Sequence, residues 1–226
     1  MEALKKELSN VLVEGGSVDV HFDIMKPYIT GKKTVMEIGF NTGYSAAFFL
    51  ENGVDKVVSF DICQHGYEQK AHDIIEKEYP GKHTLVEGDS CVTLPEYPLE
   101  KFDFIFIDGY HWGKWPEADI RNCARFAHKD TIVIVDNISF KFTDGQLYSH
   151  CYSEDKIYNV TDAWNKLVIE GVIIPDRIEC RYIPGDNFPS CMGIGKYDTQ
   201  RTNIMYDGTN APEVSLFGCS YNATAC

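Results

Sequence analysis

Two periods of apolar spacing alternate along this chain. Leu4, Leu8, Val11 and Leu12 share one helical face, and a second short helix is expected from about Val20 to Tyr28. Thr34–Phe40 is then a short apolar run, followed by helix-forming Tyr44–Asn52 with Gly53 as its C-cap. Lys56–Ile62 reads as a strand, Tyr67–Tyr79 as a helix stopped by Pro80-Gly81, His83–Glu87 as a strand and Ser90–Tyr97 as a short helix or turn. Phe102–Ile107 and Thr131–Val135 are apolar almost throughout, and between them Pro116–Ala127 is a helix with proline in its first turn. Strands of that kind are buried on both faces, the mark of a parallel sheet covered by helices. The alternation predicts an α/β, Rossmann-like, doubly wound domain.

Past Asn137 the signal weakens. Ser139–Tyr158 reads as a polar loop containing aromatic residues, and Thr161–Glu170 as a helix with Thr161 or Asp162 near its N-cap. Val172–Ile183 and Ser190–Tyr197 read as strands joined by Pro184-Gly185-Asp186-Asn187, a hairpin signal. The expected sheet is seven-stranded, mostly parallel, with a C-terminal antiparallel hairpin. Residues 1–30 form a helical extension in this reading, 31–198 the α/β domain, and 199–226 an irregular tail.

Composition narrows the function classes. With 21 basic and 34 acidic residues the net charge is -13, which repels nucleic acid and anionic membranes at long range. None of the eight cysteines forms a Cys-x-x-Cys pair, so a zinc ribbon or dithiol redox motif has no support. Met1–Asn10 carries charges every few residues, and no stretch approaches the ~20 apolar residues of a membrane span. The expectation is a cytoplasmic protein with free thiols. Cys219 and Cys226 would pair only under oxidising conditions, and the Asn159-Val-Thr161 and Asn222-Ala-Thr224 sequons are taken as chance.

Candidate chemistry gathers where an open α/β sheet binds ligands, at the carboxyl ends of its strands. After the first strand comes Glu37-Ile38-Gly39-Phe40-Asn41-Thr42-Gly43-Tyr44-Ser45. Its glycines allow a tight turn and close approach to a ligand, and the helix amides that follow can receive a carboxylate. The Gly-x-x-x-Gly spacing lacks the second glycine of a dinucleotide fingerprint. Asp61 ends the second strand, where a carboxylate can accept from both ribose hydroxyls of a nicotinamide cofactor or of adenosylmethionine alike. Gly88-Asp89-Ser90 ends the third, near where an adenine edge would lie. Asp108 ends the fourth strand and Asp136-Asn137 the fifth; adjacent strands lie ~5 Å apart, so these oxygen donors can converge on one cation, Mg²⁺ with Mn²⁺ or Ca²⁺ as alternatives. Each element also has an ordinary explanation: aspartates cap helices, Asp-Asn forms turns, and His111 between Tyr110 and Trp112 can be a packed aromatic neighbour. Trp112, Trp115, Tyr148, Tyr152 and Trp164 could form an apolar lid, though ordinary packing is the simpler role for each. His21, His65 and His150 lie in no motif and are expected at the surface.

The stretch Met36–Ala46 resembles motif I of class I S-adenosylmethionine-dependent methyltransferases. It is most similar to the metal-dependent catechol O-methyltransferase group, in which Glu-x-Gly-x-x-x-Gly-Tyr-Ser is characteristic. The resemblance spans about Lys33 to Asn137. It implies that Gly39 and Gly43 face the methionine part of the cofactor, that Ser45 contacts its carboxylate, and that Asp61 is the ribose ligand. The full cofactor-binding set expected is Glu37, Gly39, Asn41, Gly43, Tyr44, Ser45, Asp61, Asp89, Ser90 and Asp108. In such enzymes an Asp after the fourth strand and an Asp-Asn pair after the fifth hold Mg²⁺, which assigns Asp108, Asp136 and Asn137. His111, three residues past Asp108, stands where catechol enzymes place a lysine base and macrolide-sugar O-methyltransferases a histidine. A histidine base suits proton transfer near neutrality, so Asp108 and His111 are the expected catalytic pair.

The expected activity is Mg²⁺-assisted methyl transfer to the hydroxyl of a small molecule: a sugar, phenol or other alcohol. Three alternatives stand beside it: a metal-free methyltransferase acting on nitrogen or another centre, a nicotinamide-dependent oxidoreductase, and a methyltransferase-like binding module without turnover. Nucleic acid and membrane are not expected partners, and homo-oligomerisation is left open.

Overall fold

A computed structural model describes residues 2–11, 19–138, 140–141, 147–148, 159–182 and 189–200. The 139–158 loop, the hairpin turn at Pro184–Asn187 and the C-terminal tail, each singled out above, fall wholly or largely outside the described residues.

Helices α1 (Glu2–Ser9) and α2 (Asp19–Ile29) precede the first strand. The alternating unit follows as β1 (Thr34–Ile38), α3 (Tyr44–Glu51), β2 (Lys56–Asp61), α4 (Glu68–Glu78), β3 (His83–Glu87), α5 (Ser90–Glu96), β4 (Phe102–Ile107), α6 (Trp115–Cys123) and β5 (Ala127–Val135). A two-residue ladder, β6 (Phe140–Lys141) with β7 (Leu147–Tyr148), is separate from the main sheet. Then come α7 (Val160–Ile169), β8 (Ile173–Tyr182) and β9 (Pro189–Tyr197). The main sheet has seven strands in the order β3-β2-β1-β4-β5-β9-β8. The first five are parallel, while β9 runs antiparallel to both β5 and β8.

The period of two explains the layering. On β1, Val35 faces the apolar cluster built by α1 to α4, and Met36 faces the cluster built by α5 to α7. Val57 and Val58 on β2, and Phe104 and Ile105 on β4, divide the same way. Phe49 of α3 packs edge-on between Phe104 and Phe106, with centroids 5.6 and 6.0 Å away. Burying each such ring stabilises the layer by about 2–3 kcal/mol.

Two local expectations change. The fifth strand begins at Ala127 rather than Thr131, because polar His128–Asp130 is a register irregularity opposite Phe102–Phe104. Thr131 holds it, donating from Oγ1 to the Phe102 carbonyl (2.5 Å) and accepting from His128 N (2.8 Å). The cap of α7 is Asn159, with Asp162 closing a capping box, rather than Thr161 or Asp162 alone. No helix among the described residues is long and apolar enough to cross a membrane.

Candidate functional site

The sheet order reverses between β1 and β4, so the loops after these strands diverge and leave a crevice at their carboxyl ends. A cleft of about 300 Å³ opens there. It is lined by Gly39, Asn41, Tyr44, Ser45, Asp108, His111, Asp136 and Asn137 from the expected site, together with His21, Phe40, Thr42 and Gly109.

Gly39 is fixed by its surroundings. It has φ +90°, and a Cβ there would lie 2.1 Å from the Asp108 carbonyl oxygen. The loop after β1 can therefore touch the end of β4 only through glycine. Asn41 also takes a left-handed conformation, φ 48°, and its Oδ1 accepts from the Tyr67 hydroxyl at 2.7 Å.

The other expected cofactor residues stand behind this wall. Gly43 caps α3 behind Phe40 and Ile75. Glu37 is fully buried, accepting from the Ser45 hydroxyl on Oε1 and from the Ser59 hydroxyl on Oε2 (2.5 Å). Burial pushes its carboxyl up to about 8, against the two serine hydrogen bonds. Ser59 Oγ also meets His83 Nε2 at 2.9 Å, and His83 Nδ1 meets His72 Nδ1 at 2.8 Å. Burial holds the His83 ring neutral, down to about 3.

Asp61 accepts from the amides of Phe40 (2.8 Å), Asn41 (2.9 Å) and Cys63 (2.8 Å). Its carboxylate thus ties the glycine loop to β2, and the lone pairs left over are what a ribose would find. Asp89 caps α5 through Cys91 N (2.9 Å) and accepts from Trp115 Nε1 (3.2 Å). Ser90 hydrogen-bonds Asp119 of α6, whose carboxyl burial raises to about 7. None of Glu37, Gly43, Asp61, Asp89 and Ser90 lines the cleft itself.

Two histidine–aspartate pairs face the cleft. His111 Nε2 lies 3.2 Å from Asp108 Oδ1. Its backbone is held from behind, since His111 O accepts from Val160 N at 3.0 Å and Trp112 bridges to Asn159. Asp136 is almost completely buried, and its Oδ1 has no hydrogen-bond partner. Burial, then the Asp108 charge, push its carboxyl up to about 6, while His21, the Asn137 amide and His111 pull it down. Asn137 is left-handed, φ 59°.

His21 corrects an expectation. Its side chain is only 13% exposed, with Nε2 4.0 Å from Asp136 Oδ2. No motif marked it, because α2 reaches the cleft through long-range packing on the sheet. His65, by contrast, sits at the surface, pairing through Nδ1 with Glu68 Oε1 at 2.8 Å. Trp164 is core rather than lid, and Trp115 starts α6; the Tyr148 side chain, Tyr152 and His150 lie outside the described residues. Among the described residues no three His, Cys, Asp or Glu side chains are grouped as a metal centre. Asp108 and Asp136 still offer two carboxylates to one cleft, and the unpartnered Asp136 oxygen fits a hard divalent cation, which needs only one or two carboxylates plus water.

Residues 36–138 match the family model described as a methyltransferase domain. A search of curated proteins finds no match. Among solved structures, the chain is similar to the O-methyltransferase of Bacillus cereus in complex with SAH: 17% identity, TM-score 0.62, 86% of this chain and 89% of that one. It is similar to the O-methyltransferase TomG of Streptomyces achromogenes, involved in tomaymycin synthesis and in complex with SAM: 13% identity, TM-score 0.63, 87% and 90% covered. A 1,6-didemethyltoxoflavin-N1-methyltransferase of Burkholderia thailandensis gives 12% identity and TM-score 0.57, with 78% and 76% covered. Segment 36–138 thus matches the methyltransferase domain model, and the chain has the fold of these class I methyltransferase structures.

Proposed function

We propose that this protein transfers the methyl group of S-adenosylmethionine to a hydroxyl of a small molecule, with Asp108, Asp136 and Asn137 holding a divalent cation. The observation that carries the reading is the His111–Asp108 pair at 3.2 Å in a cleft shared with the glycine loop. Ser45, Gly39 and the loop amides are suited to the methionine end of the cofactor, and Asp61 to its ribose. Asp108 orients His111, whose ring takes the acceptor proton as the oxygen attacks the methyl carbon. A bound Mg²⁺ would lower the pKa of the acceptor hydroxyl. His21 and His111 each oppose the rise that burial and the Asp108 charge impose on the Asp136 carboxyl. The acidic surface supports a small-molecule acceptor over nucleic acid.

Transfer to nitrogen without metal is the second reading. It is favoured by the His111–Asp108 contact, which forms a complete acid–base pair on its own. Initial rates with a library of alcohols, phenols and amines, with Mg²⁺ and with EDTA, separate the two. The first reading expects turnover of hydroxyl acceptors that EDTA abolishes and a loss of 10²-fold or more in His111→Ala. Turnover of amines untouched by EDTA and by Asp136→Ala would replace it with the second.

A further inference from the structure

Cys180 on β8 and Cys191 on β9 are directly opposite one another in the antiparallel ladder. Neither is in a disulfide; Cys191 is buried and Cys180 half-buried. Their side chains hydrogen-bond to each other. Side chains opposed in such a ladder have Cβ atoms about 4.5–5.5 Å apart, against about 3.8 Å in a disulfide. Closing the bond therefore needs the strands to pinch by about 1 Å, with no change of register.

We propose that Cys180 and Cys191 form a reversible cross-strand disulfide, a modification site that takes a two-electron oxidant of the hydroperoxide class. Cys180, the more exposed sulfur, attacks the peroxide. Its S–H proton and the released hydroxide leave as water, and Cys180 becomes a sulfenic acid. The Cys191 sulfur then displaces that oxygen, its thiol proton leaving with it as a second water. Two thiols are oxidised, one peroxide is reduced, and one S–S bond replaces two S–H bonds. The hydrogen bond to Cys180, burial and the Asp136 charge push the Cys191 thiol up, so Cys191 is a thiol until Cys180 is oxidised and must hand its proton to the departing oxygen as it attacks; its place opposite Cys180 makes it the resolving partner. The pinch makes the bridge easy to reduce.

The position ties this couple to the cleft. The Cys191 carbonyl accepts from Ile138 N at 2.9 Å, and two residues on, Gly193 pairs with Val135. Asp136 and Asn137 lie between those two attachments. A change in strand spacing at Cys191 is thus applied to the segment that carries the cleft's buried carboxylate.

The sequence makes the test clean. Trypsin cuts after Arg177, Arg181 and Lys196, placing Cys180 in Ile178–Arg181 and Cys191 in Tyr182–Lys196. Native full-length protein is treated with stoichiometric hydrogen peroxide, alkylated, digested without reductant and analysed by mass spectrometry. The expected product is these two peptides joined, two hydrogens lighter than their sum, and separated again by dithiothreitol. In Cys180→Ser, Cys191 should be recovered alkylated. Cys180 and Cys191 both alkylated while other cysteines oxidise would overturn the proposal, and so would Cys191 bridged elsewhere in the wild type.

Discussion

Replacing Glu37 with glutamine keeps the size of the side chain and both of its hydrogen bonds. The amide N–H can donate to Ser45 Oγ while the amide oxygen accepts from Ser59. Only the ionisation is lost. Burial raises the Glu37 carboxyl from 4.5 to about 8, so the folded protein binds this proton more tightly than the unfolded chain. The stability this contributes is complete below about pH 4.5 and is lost as pH rises through about 8. The difference corresponds to roughly 3–5 kcal/mol by pH 9. Urea denaturation at pH 6, 7.5 and 9 measures it. The variant should be the more stable by about 2 kcal/mol at pH 6, and the gap should widen to roughly 5 kcal/mol at pH 9. A gap that does not change with pH would refute the argument, because it would mean Glu37 is an ionised carboxylate throughout. The Ser45 hydroxyl gives the same logic a second readout. An ionised Glu37 accepts the Ser45 hydrogen bond, whereas a neutral one can donate to Ser45 and leave the hydroxyl hydrogen for a ligand carboxylate.

Three further outcomes follow from the structure. His83 is held neutral down to about 3; a depressed histidine contributes stability above pH 6.5 that is lost as pH falls, roughly 3 kcal/mol by pH 4, so His83→Gln should flatten the acid limb of a melting-temperature profile. Gly39→Ala puts a Cβ 2.1 Å from the Asp108 carbonyl at φ +90°; a loss of about 3 kcal/mol or more in urea denaturation is expected. Asn159→Ala removes the side-chain oxygen that accepts from Thr161 N and Asp162 N at the start of α7 and should cost about 1 kcal/mol by the same measurement.

The chain displays its fold openly where one strand is apolar on both faces. Phe102–Ile107 is legible because Phe104 and Ile105 must both be buried, one in each cluster. His128–Asp130 is illegible for the converse reason: a polar irregularity in a strand looks like the loop it interrupts. The glycine loop is readable because Gly39 answers a local steric demand, and Asp108 and Asp136 because strand ends converge in a parallel sheet. His21 is not, since its place depends on where α2 docks, which no neighbouring residue encodes. Asp119 and Glu37 are hidden too. An acidic residue on a helix reads as solvated, and only the packed structure reveals that Asp119 is buried against Ser90.

The central claim is that the cleft beside Gly39 and Ser45 receives S-adenosylmethionine. Calorimetric titration of the full-length protein with adenosylmethionine, and separately with NADH, tests it most directly, using wild type and Ser45→Ala. The account predicts one saturable adenosylmethionine site, weakened about tenfold in Ser45→Ala by loss of a hydrogen bond to a charged group, and no NADH binding. Tight NADH binding with no heat from adenosylmethionine would contradict it.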